Sequence, residues 1–334
     1  KRQKAANYGL RLMRQFADVF VHADAEKTSL EFPIFAYYGT ERAVPILKSP
    51  GRKKKKSAES RAGAYARALG GSLIFQSAVE WLAKQEELQK DEIIARQDFT
   101  HRTLAFETIQ LAFEKMMPGF SNLRVCRSPF HVLVDIREGD EFRTVNVDRQ
   151  LSDGFKIVLV MLVDIVTRLL KANAGIEGMT PRRILDGSGI VLIDEIDLHL
   201  HPSWQQRILS DLRKTFPNIQ FVVTTHSPQI VQSVSSSCIR VIDREHRIRL
   251  VAQSEGLETS QVLDDVFGTK PYPEGNELRQ RMMRYVDAVY EGRWDAPEVR
   301  RLGEELRRHF EGADPKFDAA RLHAEEEEWE RRHA

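Results

Sequence analysis

The chain has 334 residues, enough for one large α/β domain or two modest ones. Apolar residues make up 42% and charged residues 30%, and the net charge of +1 gives the whole molecule no electrostatic bias towards nucleic acid. Its two cysteines, Cys126 and Cys238, have no metal-like spacing and fit a reducing cytoplasm, and no apolar run reaches the roughly 18–20 residues that would cross a bilayer.

Residues Lys1–Phe20 have helical spacing, with Leu10, Met13, Val19 and Phe20 set among basic residues. This basic start lacks the apolar core of a signal peptide. Phe32–Gly39 reads as a buried strand ended by a glycine turn. The lysine block Lys53–Lys56 predicts a solvated loop. Tyr65–Met117 is rich in Glu, Lys, Gln and Leu and free of proline, which predicts helices projecting from a core or packed at its edge. Asn122–Val147 alternates apolar and polar residues, the pattern of a small antiparallel sheet. Asp153–Lys171 predicts a helix with a nearly continuous apolar face. Gly189–Glu195 is a short β-branched run, as in a strand covered on both faces, and Phe221–His226 reads as a second buried strand, with a helix over Pro202–Thr215 between them. Short strands are expected at Ile239–Asp243 and Ile248–Val251. Beyond Gly256 the chain reads as helical, charged and poor in large apolar residues, with Glu325–Glu328 an exposed helix or fraying tail. Alternating buried strands and amphipathic helices predict a mainly parallel α/β sheet.

Three segments carry candidate chemistry. In Ile190–Pro202, IVLIDEIDLHLHP, an apolar strand delivers two carboxylates at its carboxyl end, where open parallel sheets bind ligands. In a nucleotide site Asp194 would hold Mg2+ through water, and Glu195 would orient or deprotonate the attacking water. The plain alternative is a pair of carboxylates capping the next helix. In Phe221–Pro228, FVVTTHSP, His226 would sit beside a γ-phosphate, or else be satisfied by a backbone carbonyl. In Leu151–Lys156, LSDGFK, a serine and a glycine at a helix N-terminus offer a hydroxyl, free N–H groups and a positive dipole end. Ser152 is equally a good N-cap whatever the function.

LSDGFK, IVLIDEIDLHLHP and FVVTTHSP, in this order, resemble the signature, Walker B and switch-histidine segments of ABC-type ATPases of the SMC/RecF/OLD-like branch. The phrases LIDEIDLHLHPSWQQRIL and FPNIQFVVTTHSPQIV, with YYGTER at Tyr37–Arg42, are similar to a bacterial family of ATP-binding proteins. That family includes the ATPase partners of HNH nucleases in Septu-type and some retron-type anti-phage systems. The resemblance implies an ABC-ATPase-like head of the P-loop NTPase class that binds ATP and Mg2+ in the cytoplasm. Glu195 and His226 would be catalytic and Asp194 the metal ligand. Leu151, Ser152, Gly154 and Lys156 would face a nucleotide held by a second copy, in a homodimer of heads with ATP between them. Asp197, His199 and His201 would lie in the D-loop; His201 stands where ABC transporters usually have an aspartate, a variant familiar in the OLD-like branch. The implied domains are a remnant of the N-terminal nucleotide-binding lobe at 1–50, a helical insertion at 51–121, the ATPase lobe at 122–255 and a helical C-terminal region at 256–334.

One part of the pattern is missing. No GxxxxGK(S/T) string occurs in the sequence, although its N–H groups and lysine would be needed to cradle the phosphates. Either the Walker A part was lost by truncation, which the missing initiator methionine favours, or the chain is a natural subunit that lends its signature to a partner. On either reading the chain alone should bind ATP poorly and be inactive. The expected role is a regulatory or sensor ATPase acting with a nuclease in anti-phage defence. The alternative is a RecF- or Rad50-like repair ATPase that clamps DNA through Lys53–Lys56 and the arginines of Arg279–Arg308.

Overall fold

A computed structural model of the chain describes residues 15, 18–26, 28–41, 61–70, 75–243, 245–269 and 275–333. The chain divides into two compact units, Lys1–Leu257 and Glu258–Ala334. In the first, β1 (Ile34–Tyr38) is followed by helices α1 (Phe75–Arg96) and α2 (Leu104–Met116). Then come β2 (Phe120–Arg127), β3 (Phe130–Glu138), β4 (Glu141–Asn146), α3 (Asp153–Ala172), β5 (Gly189–Ile193), α4 (Ile208–Thr215) and β6 (Ile219–Val223). A two-residue pair, β7 (Val241–Ile242) and β8 (Ile248–Arg249), is antiparallel and shorter than the sequence pattern suggests. Most of the expected helix at Lys1–Phe20, the lysine block Lys53–Lys56 and Arg42 lie outside the described residues.

The expected parallel sheet is present, in the order β1-β5-β6. Register runs from Ile34 opposite Gly189 to Tyr38 opposite Ile193, and from Gly189 opposite Ile219 to Ile193 opposite Val223. Gly189 permits this pairing, because a Cβ there would lie 2.6 Å from the Ile34 carbonyl oxygen. One face of the sheet, bearing Ile34, Ala36, Tyr38, Val191 and Ile193, belongs to the core that it shares with α3. Fourteen of the twenty α3 residues are buried, the mark of a helix enclosed by its neighbours.

The opposite face corrects the expectation of cover on both sides. Ile190 and Leu192 each remain 38% exposed and Val222 50%. The β-branched run does form strands, but a run of that kind records what a strand can pack against, not what is packed there.

Polar groups fix how the layers meet. The Tyr38 hydroxyl donates to Asp164 Oδ2 at 2.9 Å, and Arg168 Nε donates to the same oxygen at 2.7 Å. Arg168 Nη1 also donates to the Ala64 carbonyl at 2.7 Å. Burial, reinforced by the Asp164 charge, pushes the Tyr38 phenol well above its ordinary range. Arg61 lies over the Phe32 ring at 3.5 Å and donates to the Ala172 carbonyl at 2.8 Å, which ties the start of the unit to the end of α3.

The helical region expected after Tyr65 contains the two helices α1 and α2. Gln89 of α1 reaches across the intervening turn, donating to the His101 carbonyl and accepting from the Thr103 N–H, both at 2.6 Å. Thr103 then caps α2. The expected antiparallel sheet has the order β2-β3-β4, with a register shift between Ser121 and Arg124. Glu86 of α1 accepts from the Val125 N–H at 2.7 Å, and Gln110 of α2 donates to the Leu123 carbonyl at 2.6 Å. The expected helix Pro202–Thr215 is broken at Gln206–Arg207 into a one-turn helix, Pro202–Gln205, and α4.

The second unit contains α5 (Glu277–Ala288), α6 (Pro297–Phe310) and α7 (Pro315–His333). It has its own core, with Met282, Tyr285, Val289, Leu306 and Phe317 buried. The expectation of a segment poor in large apolar residues is therefore too weak: the few present sit at helical spacing and converge. Glu325–Glu328 lies inside the continuous helix α7.

Candidate functional site

β5 and β6 are parallel neighbours, and Ile193 pairs with Val223. Asp194 and Glu195 therefore leave β5 beside Thr224 and Thr225, and His226 follows one residue later. Backbone bonds hold the crossover: Asp194 N–H donates to the Tyr38 carbonyl at 2.8 Å, Thr224 N–H to that of Ile193 at 2.9 Å and Ile196 N–H to that of Thr224 at 3.0 Å. Glu195 has φ +46°, a left-handed conformation uncommon for a residue with a side chain. The Thr224 hydroxyl bridges the two acidic residues. It accepts from the Glu195 N–H at 2.8 Å and donates to Asp194 Oδ1 at 2.5 Å. Both carboxylate residues are half-buried, and His226 is exposed.

The loop that follows is closed by short turns. Leu198 N–H donates to the Glu195 carbonyl at 2.9 Å and Leu200 N–H to the Asp197 carbonyl at 3.0 Å. Asp197 Oδ1 accepts from the Thr225 hydroxyl at 2.5 Å. His199 is exposed and has φ +63°. His201 caps the turn Pro202–Gln205, its Nδ1 accepting from the Ser203 N–H at 3.3 Å. Ser227 caps the turn Pro228–Gln232, and its hydroxyl donates to Gln205 Oε1 at 2.7 Å.

At the start of α3, Ser152 is the N-cap, its hydroxyl accepting from the Phe155 N–H at 3.3 Å. Ser152 is exposed, Leu151 is partly buried against the core, and Lys156 is bound to Asp153 one turn back at 3.0 Å. Gly154 is buried against the loop: a Cβ on it would lie 2.4 Å from the His199 carbonyl oxygen. Phe155 packs between Phe120 and Trp204, at ring distances of 4.9 and 5.9 Å.

The structure thus brings Asp194, Glu195 and Asp197 to the strand end before His226, and places Gly154 against His199. Sequence reasoning missed Thr224, Thr225 and Gln205. Their partners lie 22 to 30 residues away, so only a tertiary contact reveals them.

The donor set can be tested against Mg2+. Among the described residues no group of three or more His, Cys, Asp and Glu side chains could enclose a metal. Mg2+ does not need one. It keeps several waters and is usually bound by one or two carboxylates together with phosphate oxygens, a demand that Asp194 at an open strand end fits.

Parts of the chain resemble known proteins. Residues 130–232 match the family described as "AAA domain, putative AbiEii toxin, Type IV TA system". The chain is 37% identical over 223 residues to "Retron Ec83 probable ATPase" of Escherichia coli, covering 67% of this chain and 39% of that protein. It is 26% identical over 334 residues to "Retron Vc95 probable ATPase" of Vibrio cholerae, covering 86% of this chain and 63% of that one. It is 31% identical over 169 residues to "Septu protein PtuA" of Bacillus mycoides, covering 48% and 22%. The chain therefore spans less than two thirds of the length of each of these relatives. The chain thus carries a match to an AAA domain and is similar, over part of their length, to the retron probable ATPases and to Septu protein PtuA.

Proposed function

We propose that this chain supplies the signature, Walker B, D-loop and switch parts of an ATP-hydrolysing head that works as a dimer, in an anti-phage system with a nuclease effector of the HNH type. The observation that carries the proposal is the pairing of two strand ends. It sets a Thr224-bridged Asp194–Glu195 pair beside the segment that carries His226. Asp194 would hold Mg2+, which shields phosphate charge. Glu195 would take a proton from the attacking water, and His226 would hold that water or the γ-phosphate by a hydrogen bond. Leu151, Ser152 and Gly154 would present the positive end of α3 to a nucleotide on the partner copy, and Lys156 would add a cation near it.

The phosphate-cradling loop would come from outside residues 1–334, on another segment or on a partner. The apolar sheet face at Ile190, Leu192 and Val222 supports this, because parallel sheets in such folds carry helices on both sides. Residues 1–50 and 122–255 would then form the nucleotide lobe, 51–121 an insertion and 256–334 an appended helical region. The retron and Septu relatives support the link to those systems.

The DNA-clamp reading gains no support from the arginines of the second unit. Arg279 pairs with Asp314, Arg281 with Glu305, Arg293 with Glu291, Arg300 with Glu328 and Arg307 with Glu311. Five of the eight arginines from 279 to 308 are thus matched locally, so the segment offers less free positive charge than its arginine count suggests.

In the protein carrying its complete nucleotide site, Glu195→Gln should bind ATP, stop turnover and accumulate as a dimer in size-exclusion chromatography. Wild-type hydrolysis by this variant would overturn the assignment.

A further inference from the structure

The loop from Asp194 to His201 touches two other parts of the site. On one side it meets the start of α3. The His199 carbonyl occupies the space that a side chain at Gly154 would need, 2.4 Å from the position of a Cβ, and Leu200 Cδ2 lies 3.3 Å from it. On the other side it meets the strand end before His226. The Thr225 hydroxyl donates to Asp197 at 2.5 Å, and Gln205 bridges the Leu200 carbonyl at 2.8 Å and the Ser227 hydroxyl at 2.7 Å. Between these anchors the loop has little slack. Two successive turns close on Glu195 and Asp197, and Glu195 and His199 are both held at positive φ.

We propose that this loop is a stiff intra-subunit strut, with Asp197 and Thr225 as positioning residues. Seating of the α3 N-terminus against the His199 carbonyl fixes where His226 stands. A close-packed segment pinned at both ends shifts between discrete arrangements and does not deform gradually, so a displacement at Gly154 reaches Thr225. Gly154 is then a glycine for a reason internal to the subunit, since any β-carbon would push the loop away. The consequence rests on the hydrolytic reading above. The surface that faces the partner's nucleotide and the histidine of the subunit's own site move as one piece, and neither site can be set without the other end of the strut being in place.

The coupling is measurable on the 334-residue chain by amide hydrogen exchange, without nucleotide. The reporters are Leu198 and Leu200 in the loop, and Ser227, whose N–H donates to Thr225 Oγ1 at 3.0 Å. Gly154→Ala perturbs the signature end and should speed exchange at all three amides by about tenfold or more. Thr225→Val perturbs the other end and should do the same at Leu198 and Leu200. Thr225→Ser keeps the hydroxyl and should match wild type. Faster exchange at Leu198 and Leu200 in Gly154→Ala with Ser227 unchanged would overturn the strut, as would full protection of both loop amides in Thr225→Val. If Gly154→Ala does not fold, the two Thr225 variants decide.

Turnover in the protein with its complete nucleotide site separates this idea from the reading on which it rests. Thr225→Val should lower kcat about tenfold, with KM for ATP within about twofold, and Thr225→Ser should restore it. Coupled exchange with unchanged kcat would uphold the strut and count against His226 as a hydrolytic group. Uncoupled exchange with a low kcat would overturn the strut alone.

Discussion

Replacing Thr224 with valine isolates what one hydroxyl does for the acidic pair. The side chain keeps its shape and its strand propensity but loses two bonds, one to Asp194 Oδ1 at 2.5 Å and one from the Glu195 N–H at 2.8 Å. The bond to a carboxylate would be worth about 1.5–3 kcal/mol if buried, and the neutral one about 1 kcal/mol. Thr224 is exposed, so water takes over both groups and the expected stability loss is about 1 kcal/mol or less. That corresponds to a fall in Tm of roughly 2–4 °C for a unit of this size. Position is a different matter. Glu195 stands at φ +46°, a conformation that costs a non-glycine residue about 1–2 kcal/mol and persists only while its surroundings impose it. Once Thr224 lets go, the relaxed backbone is favoured by about that amount, so about one molecule in ten keeps the carboxylate in place. Thr224→Val should therefore lower kcat for ATP hydrolysis about tenfold in the protein with its complete nucleotide site, and Thr224→Ser should stay near wild type. Steady-state hydrolysis and thermal unfolding on the same samples decide the matter. Wild-type turnover by the valine variant, or a rate loss no larger than the loss of folded protein, would refute the reasoning.

Other expectations concern the frame around the site. Gly189→Ala puts a β-carbon 2.6 Å from the Ile34 carbonyl oxygen and should cost about 3 kcal/mol, read as a lower midpoint of urea unfolding. Arg168→Leu leaves Asp164 and the Ala64 carbonyl without their shared donor inside the unit; a loss of about 3–5 kcal/mol is expected in the same assay, and a loss under about 1 kcal/mol would mean that water reaches the pair. Hydrogen bonds from Arg124, then Thr144 and Asn122, hold the Asp135 carboxyl at about 2, below the ordinary 3.8. A depressed value means that the charged form stabilises the folded state above the ordinary value, and that this contribution is lost as pH falls towards about 2. Asp135→Asn should therefore flatten the loss of stability between those two values, and an unchanged acid profile would contradict the assignment.

What could be read from the sequence was what depends on near neighbours along the chain. The apolar runs leading to Glu195 and to His226 announced two strands, and their order announced that the strands would pair, although the strands themselves stop at Ile193 and Val223. The period of Asp153–Lys171 announced a helix with a nearly continuous apolar face, and Ser152 its start. The rest depended on contacts distant in sequence. Cover over Ile190, Leu192 and Val222 was inferred from side-chain type, which cannot report whether a layer is there. The helix over Pro202–Thr215 kept its period in the sequence, yet the chain turns at Arg207, where φ is −118°. Gly154 drew notice as a glycine that could admit a phosphate, and its close contact proved to be a carbonyl of its own chain 45 residues on. Thr224 and Thr225 looked like ordinary strand threonines, because their acceptors enter from the neighbouring strand end.

The outer edge of β2 has a consequence for association. An edge strand is a template on which another strand can add through its unpaired N–H and C=O groups. Here α1 and α2 spend side chains on that edge: Glu86 takes the Val125 N–H at 2.7 Å and Gln110 gives to the Leu123 carbonyl at 2.6 Å. The register shift between Ser121 and Arg124 further spoils the straight run that an incoming strand would need. Glu86 is shielded enough that its carboxyl is raised above the ordinary value, so the guard is already seated away from bulk water and not improvised by a mobile surface chain. Polymerisation through this edge would have to evict a carboxylate and an amide before its first hydrogen bond formed. The small sheet is thereby kept as a finished piece, closed to strand exchange on the side where the two helices lie.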